Sequence, residues 1–170
     1  MKPINLPIFP LKLVVLPGTL QGLQIFEPRY LNMVKQCMSN ASNFVISYKS
    51  DRFDDFDFGI EKVGTSVQIV DFNNLPNGLL GITVKAESKV SLNNIIQLED
   101  ESYLGEVLPL TEPEVDDQSL LAKYPDLIEV LVKLKEHPEI KTLQLDIDLD
   151  SADSVSCLLY TSDAADEGLG

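Results

Sequence analysis

The sequence predicts an α+β fold of short mixed strands. One helix follows the first strands, and a helical segment forms the last part of the chain. Three observations predict it. Prolines and glycines divide residues 6–30 into short apolar pieces. Residues 79–92 alternate apolar and polar side chains with a period of two, which is typical of a half-buried strand. Residues 127–134 place their apolar side chains at helical spacing instead.

The apolar pieces of residues 6–25 are predicted to be strands joined by turns, because proline and glycine interrupt them too often for a helix or a membrane span. Pro28 suits the first position of a helix, where a missing N–H group costs nothing. A helix is therefore predicted over residues 28–38, in which Tyr30, Met33 and Cys37 recur at helical spacing.

Short strands are predicted for the middle of the chain. Asn77-Gly78 is the strongest turn signal there, since this pair tolerates the positive φ angles of tight hairpins. The strand that follows the turn is expected to bend near residues 86–89. The predicted strands cover residues 44–48, 58–61, 64–72, 79–92, 94–98 and 103–110.

The pattern changes after Pro113, and a helix is predicted to begin near Pro125 and to end at His137. Residues 1–114 are thus interpreted as a β domain and residues 115–156 as the start of a truncated helical part. Residues 150–154 are typical of a helix N-cap whose helix is missing.

The last residues have a different character. Residues 157–167, CLLYTSDAADE, resemble the translation of a transposase adaptor used in sequencing libraries. We therefore interpret residues 157–170 as a non-native tail and expect the native gene to continue past Ser156.

The charge and cysteine content narrow the classes of partner and compartment. The net charge of −14 opposes binding to nucleic acid and to anionic membrane surfaces. No segment approaches the roughly 20 apolar residues that a membrane-spanning helix needs. Cys37 is the only cysteine outside the tail, so a disulfide framework is excluded and a cytoplasmic location is expected.

The sequence contains few residues of the two types, histidine and cysteine, that often catalyse reactions or bind metals in other proteins. The one histidine, His137, lies at a predicted helix end, and Cys37 lies on an apolar helix face. Residues 146–150 resemble the start of a calcium loop but lack its glycine and its terminal glutamate, so a solvated acidic surface is favoured. A phosphate-binding glycine loop is also missing. We expect no catalytic residue, no metal and no cofactor.

Three segments of the opening run resemble the Lon protease N-terminal substrate-binding domain family: Ile8-Phe9-Pro10-Leu11, Leu16-Pro17-Gly18 and Ile25-Phe26-Glu27-Pro28-Arg29-Tyr30. Weaker matches follow in the family's order at residues 58–59, 64–69, 78 and 103–107. The resemblance implies a PUA-like β pseudobarrel followed by helices. The IFEPRY ending resembles small stand-alone bacterial Lon-domain proteins and the Lon domains inside some eukaryotic ubiquitin-ligase-type proteins.

The family resemblance also implies a surface for polypeptide. The candidate binding residues are Ile25, Phe26, Tyr30, Met33 and Phe56. Two interpretations of the residues around the helix start remain open. In the favoured one they belong to the core, and in the other some of them line an exposed apolar groove together with Phe53 and Phe58.

These observations lead to three hypotheses for function. The first is a non-enzymatic module that recognises unfolded or extended polypeptide, alone or as an adaptor in protein quality control, with a protease or another protein as a further partner. The second is the front of a larger Lon protease or ubiquitin-ligase-type enzyme. The third, RNA binding by analogy with other PUA-like folds, is disfavoured by the acidic charge.

Overall fold

The computed structural model describes residues 2–51, 57–111 and 116–141. The chain divides into two compact units, residues 1–111 and residues 112–170. The first unit holds β1 (Ile4–Leu11), β2 (Leu20–Ile25), α1 (Pro28–Asn40), β3 (Phe44–Lys49), a short 3-10 turn (Asp57–Gly59), β4 (Ile60–Asn74), β5 (Leu80–Gln97) and β6 (Tyr103–Pro109). The second holds α2 (Asp117–Leu121), α3 (Pro125–Lys135) and α4 (Pro138–Lys141).

The six strands form one sheet that closes on itself. Their order is β2-β5-β4-β3-β1-β6, and β5 also pairs with β6. Strands β5, β4, β3, β1 and β6 therefore make a ring, and β2 pairs with the first part of β5, on the edge that β6 uses further along. Only β1 and β3 run parallel within the pairs described. The α+β fold class that the sequence predicts is confirmed.

Two long strands replace four of the predicted short ones. The prediction of separate strands at residues 79–92 and 94–98 was wrong, because β5 continues through both of them. Likewise β4 joins most of the predicted strands 58–61 and 64–72. The bend expected near residues 86–89 is a register shift within the ladder, where Ser66 faces Ser88 but Val67 faces Ala86. An extra residue bends a strand without ending it.

The alternation of side chains along the strands divides the core into two parts. One part lies inside the ring, where Ile8 and Val45 are fully buried. The other lies between the ring and α1, where Phe9, Phe44 and Ile46 point from the opposite face of the same two strands. Both faces of β1 and β3 are thus apolar, which explains the nearly continuous apolar runs in the sequence.

Helix α1 begins at Pro28, as predicted, and extends two residues beyond the predicted end. Its buried face consists of Tyr30, Met33, Val34 and Cys37. The helix ends at Ala41, which adopts the left-handed conformation with a φ of 49° and donates its backbone N–H to the Cys37 carbonyl. This conformation normally favours glycine.

Two glycines allow a close approach of strands in the ring. A Cβ atom on Gly64 would lie 2.6 Å from Cγ1 of Val45, and a Cβ atom on Gly105 would lie 2.8 Å from Cδ1 of Ile8. Both distances are far shorter than a van der Waals contact between carbon atoms. At Gly64 a Cβ atom would also lie 2.9 Å from the backbone carbonyl of Ile46, so this position requires glycine, whereas at Gly105 the end of the Ile8 side chain would have to move.

The second unit has a small apolar cluster of its own. Leu131 of α3 is buried among Leu121, Leu127, Ile128 and Leu134. Asp116 caps α2 by accepting a hydrogen bond from the backbone N–H of Ser119. Helix α3 begins at Pro125 and ends before His137, as predicted. The predicted N-cap at residues 150–154 and the tail at 157–170 lie outside the described residues.

Candidate functional site

The turn from β2 into α1 leaves one large apolar side chain in solvent. Ile25, the last residue of β2, is buried in the core, and Pro28 is the first residue of α1. Between them the backbone of Glu27 is extended, and the side chain of Phe26 is 65% exposed. The chain reverses direction here, so Phe26 lies outside both elements and at the rim of a groove.

This groove, which we call the corner groove, has a volume of about 220 Å³. Its walls are apolar and polar in nearly equal parts, with two cationic side chains, one carboxylate and one glutamine among the apolar residues. Lys49, at the end of β3, places its ammonium 6.0 Å from the centre of the Tyr103 ring. The lining residues are Phe9, Pro10, Leu11, Gln24, Ile25, Phe26, Glu27, Arg29, Tyr30 and Lys49.

Arg29 forms the boundary between the corner groove and a second groove. Its Nε donates a hydrogen bond of 2.8 Å to Oε2 of Glu27, and its Nη1 donates one of 2.6 Å to the backbone carbonyl of Glu101. The guanidinium also lies 4.7 Å from the centre of the Tyr30 ring and 5.9 Å from that of Tyr103. Ion pairing, a backbone acceptor and two aromatic rings together fix this side chain.

The second groove, which we call the loop groove, lies between α1 and the turn from β5 to β6. It has a volume of about 390 Å³ and is lined by Pro7, Arg29, Asn32, Met33, Gln36, Leu98, Glu99, Asp100, Ser102, Tyr103 and Leu104. The hydroxyl and the backbone N–H of Ser102 donate to Asp100, and these hydrogen bonds lower the pKa of that carboxyl. The turn therefore presents a charged carboxylate at neutral pH.

Tyr30 supports the floor of the corner groove. The residue is only 4% exposed, and its ring centre lies 4.2 Å from that of Phe9. Burial raises the pKa of Tyr30 to about 12, since the charged phenolate is poorly solvated there. The floor of the groove is thus aromatic and uncharged at physiological pH.

A third groove lies at the opposite end of α1. This rear groove has a volume of about 290 Å³ and is lined by Cys37, Met38, Ala41, Ser42, Gln68, Ile69, Val70, Asp71 and Phe72. Met38 and Phe72 are exposed. The rear groove carries no cationic side chain among its lining residues, which distinguishes it from the corner groove.

The comparison with known families decides the identity of the fold. A model of the ATP-dependent protease La (LON) substrate-binding domain matches residues 5–163. The chain belongs to this family. The resemblance found in the opening motif is therefore confirmed.

Two proteases are similar in sequence to this Lon domain. Lon protease 1 of Thermus thermophilus is 29% identical over 155 residues, which cover 84% of this chain and 18% of that protein. The Lon protease of Fusobacterium nucleatum is 23% identical over 125 residues, which cover 71% of this chain and 16% of that protein. The chain thus spans less than a fifth of the length of these relatives.

Two solved structures share the architecture. A Lon N-terminal domain protein from Xanthomonas campestris is 25% identical with a TM-score of 0.59, covering 92% of this chain and 98% of its own. The N-terminal domain of a Mycobacterium avium complex Lon protease has a TM-score of 0.63 at 16% identity, covering 94% of this chain and 97% of its own. The second likeness shows the fold alone.

The structure divides the predicted binding residues of the Lon domain between core and surface. Ile25, Tyr30 and Met33 are at most 4% exposed, whereas Phe26 is the exposed member of the set. Ile25, Phe26 and Tyr30 come together at the corner groove, while Met33 faces the loop groove. Phe56 lies outside the described residues. The five predicted residues remain candidates for binding.

The residues that the sequence offers for catalysis or metal binding, Cys37 and His137, contribute to the core and to a helix end. Within the described ranges, His, Cys, Asp and Glu form no group of three or more that could hold a metal ion. Cys37 is buried, and burial raises the pKa of its thiol. His137 donates its backbone N–H to the Leu134 carbonyl at the end of α3. None of the helices in the described ranges is long and apolar enough to cross a membrane.

The sequence did not predict the cationic side of the corner groove or the contact of Lys49 with Tyr103, which lines the loop groove. Arg29 belongs to the opening motif, but its contacts with Glu27 and with the Glu101 carbonyl appear only in the structure. Lys49 and Tyr103 were not singled out, because they come from strands far apart in the chain. A signal for Lys49 did exist, since a lysine at the end of the apolar run 44–48 marks the point where β3 reaches solvent.

Proposed function

We propose that this Lon domain binds unfolded or extended polypeptide at the corner groove and performs no chemistry itself. The observation that carries the proposal is the exposed Phe26 at the rim of the corner groove, beside the aromatic rings of Phe9 and Tyr30. A phenylalanine that is exposed beside a groove can serve as an aromatic anchor for a partner, because its ring is a large apolar surface that a complex would bury. The family, which is described as a substrate-binding domain, supports the same conclusion.

The size and lining of the corner groove support a side-chain anchor. Its volume of about 220 Å³ is below the range of pockets that enclose drug-sized ligands, roughly 300–1,000 Å³. An apolar floor of Phe9 and Tyr30 suits one apolar side chain, and Gln24, Arg29 and Lys49 supply a polar rim. This combination of an apolar centre and a polar rim is typical of protein interfaces.

We propose a cytoplasmic protein that acts alone or as an adaptor in protein quality control. The resemblance to a Lon N-terminal domain protein of Xanthomonas campestris supports a module built on this fold. The second candidate is the N-terminal part of a larger ATP-dependent Lon protease or a ubiquitin-ligase-type enzyme, which the two Lon protease relatives favour. Both candidate functions include polypeptide binding at the corner groove.

Whether further domains follow in the gene decides between these two roles. Several hundred further codons that include an ATPase loop or zinc-ligand cysteines would favour the larger enzyme. A stop after a few dozen codons of helical pattern would favour the stand-alone module. Sequencing the locus supplies this result and also shows whether residues 157–170 are native.

The test of polypeptide binding uses reduced, carboxymethylated α-lactalbumin as a permanently unfolded probe, with affinity measured by fluorescence anisotropy. Phe26→Ser is expected to weaken binding by about tenfold or more, as loss of an aromatic anchor does. Phe72→Ser is the matched control, because Phe72 is 58% exposed but lines the rear groove. Equal affinities of the wild type and Phe26→Ser, or loss of binding only in Phe72→Ser, would overturn the proposal.

A further inference from the structure

Strand β2 has a free edge that leads into the corner groove. Among the described residues β2 pairs with β5 alone, at one end of the sheet order. Its other side therefore carries backbone N–H and C=O groups that no described strand uses. Such an edge is a template for a further strand.

The register shows which backbone groups point outward. The backbone N–H of Ala86 donates a hydrogen bond of 2.9 Å to the carbonyl of Thr19, so residue 19 faces β5. Residues of an antiparallel strand alternate in direction, so Gln21, Leu23 and Ile25 also face β5, opposite Val84, Ile82 and Leu80. The outward-facing residues are then Leu20, Gly22 and Gln24.

The outer edge of β2 lacks the features that normally block strand addition. Residues 20–25 contain no proline and no charged side chain. Gly22 has open space where a Cβ atom would lie. The last part of β4 is a second free edge, because β3 pairs with β4 only as far as Val67. Unlike the edge of β2, it has a register shift at Val70 and a charged side chain at Asp71.

One side chain occupies this edge. Nε2 of Gln21 donates a hydrogen bond of 2.9 Å to the carbonyl oxygen of Gly22, and the contact is exposed. An exposed neutral hydrogen bond contributes little stability, because water competes for both groups. A backbone N–H of an incoming strand can replace the glutamine amide at that carbonyl with little cost.

The charge of the corner groove selects among extended polypeptides. Its lining contains the carboxylate of Glu27 and the cations of Arg29 and Lys49. Glu27 is bonded to Arg29, which leaves the lining with a net charge of +1 in a chain of net charge −14. An acidic side chain is therefore attracted to the groove end of β2 and repelled by most of the remaining surface.

We propose that the occupant is an extended polypeptide segment that adds to β2 as a further strand, hydrogen-bonded to Leu20, Gly22 and Gln24, and carries an acidic residue beside its apolar anchor. The anchor enters the corner groove, and the acidic residue lies near Lys49. This inference rests on the proposed function, since it defines how the polypeptide binds at the same groove. Main-chain bonding provides affinity for many sequences, and the groove provides the preference.

The test uses the full chain and an eight-residue peptide that contains a Phe-Asp pair within alternating Leu and Thr. Amide hydrogen exchange is followed by NMR with and without saturating peptide. The amides of Leu20, Gly22 and Gln24 are expected to exchange at least about tenfold more slowly in the complex, because they become hydrogen-bonded. The amides of Gln21, Leu23 and Ile25 are expected to be slow in both states.

Two N-methylated forms of the peptide test the hydrogen bonds from the other side. Methylation of one alternate set of amides is expected to abolish binding, and methylation of the other set to leave it within about twofold, since only alternate groups face β2. Binding that depends on Phe26 but gives no protection at Gly22, or equal binding of both methylated forms, would overturn strand addition and leave the proposed function intact. No binding by any peptide or by unfolded α-lactalbumin would overturn both.

The acidic preference has its own variants. Lys49→Glu is expected to weaken the Phe-Asp peptide by about tenfold and to strengthen the matching Phe-Lys peptide. Lys35→Glu, an exposed position on α1 outside the lining of the corner groove, is the charge-matched control and is expected to change either affinity less than about threefold. Equal effects of the two variants would overturn the acidic preference.

Discussion

Nη1 of Arg29 donates a hydrogen bond of 2.6 Å to the backbone carbonyl of Glu101, 72 residues later in the chain. The same guanidinium donates through Nε to Glu27, directly before α1. Arg29 therefore connects the start of the helix to the turn between β5 and β6. It also separates the corner groove from the loop groove, so the shape of both depends on this side chain.

Replacement of Arg29 by lysine is expected to destabilise the fold by roughly 1–2 kcal/mol, because an ammonium cannot reproduce a planar fork that bonds two acceptors at once. Urea unfolding of the wild type and Arg29→Lys measures this difference. Lys133→Ala, which removes an exposed ion pair with Glu129, is the control and is expected to change stability much less. A loss no larger than that of the control would show that the Glu101 bond contributes nothing.

The buried phenol of Tyr30 is expected to make stability fall at high pH. Its pKa is about 12 in the folded protein and 10.0 in an unperturbed chain. Below pH 10 both states hold the proton, and between about 10 and 12 only the folded state does. The free energy of unfolding should therefore decrease by roughly 1.4 kcal/mol per pH unit in this window through Tyr30 alone.

Tyr30→Phe isolates this contribution, because it removes the ionisable hydroxyl and keeps the buried ring. The difference in unfolding free energy between the wild type and Tyr30→Phe should be constant below pH 10 and should shift in favour of the variant between pH 10 and 12. Chemical unfolding at several pH values measures it. Parallel pH profiles of the two proteins would show that burial does not raise the pKa of Tyr30.

Ala41→Gly is expected to stabilise the protein by about 1 kcal/mol. Ala41 ends α1 with a φ of 49°, a conformation that costs an L-residue roughly 1–2 kcal/mol but costs glycine almost nothing. Thermal unfolding should show a higher Tm for the variant. Ser39→Gly, two residues earlier and within the helix, is the control and should lower the Tm, since glycine is unfavourable inside helices.

Gly105→Ala is expected to destabilise the ring by roughly 1–3 kcal/mol, because the new Cβ atom would lie 2.8 Å from Cδ1 of Ile8. Ile8→Val removes that methyl group and should itself cost about 1 kcal/mol. The double variant should then lose less stability than the two single losses added together. Strict additivity in urea unfolding would contradict a direct contact at this position.

The elements that could be predicted from sequence are those fixed by local chemistry. Pro28 marks the start of α1, and the Asn77-Gly78 turn joins β4 to β5 with Gly78 at a φ of 80°. Closure of the ring could not be predicted, because it depends on β5 pairing with three strands, β2 and β6 along one edge and β4 along the other. The continuity of β5 could not be predicted either. The strand continues through register shifts and through a positive φ at Asn94, and an asparagine at such a position is typical of a strand end.

The candidate site shows the same limit. Ile25 and Phe26 are adjacent apolar residues, and nothing local distinguishes the buried one from the exposed one. The difference arises because β2 ends at Ile25, with its side chain toward α1, and the chain turns at Phe26. Contacts between Arg29 and Glu101, or between Lys49 and Tyr103, follow from the closed sheet and have no signature in the sequence.

The central claim is that this Lon domain binds polypeptide at the corner groove. The most direct test is NMR of the isotope-labelled full chain titrated with reduced, carboxymethylated α-lactalbumin. We expect the largest chemical-shift changes at residues 24–30 and at Lys49, with little change at Met38 and Phe72. Changes centred on the rear groove, or none at a probe concentration that saturates binding, would contradict the account.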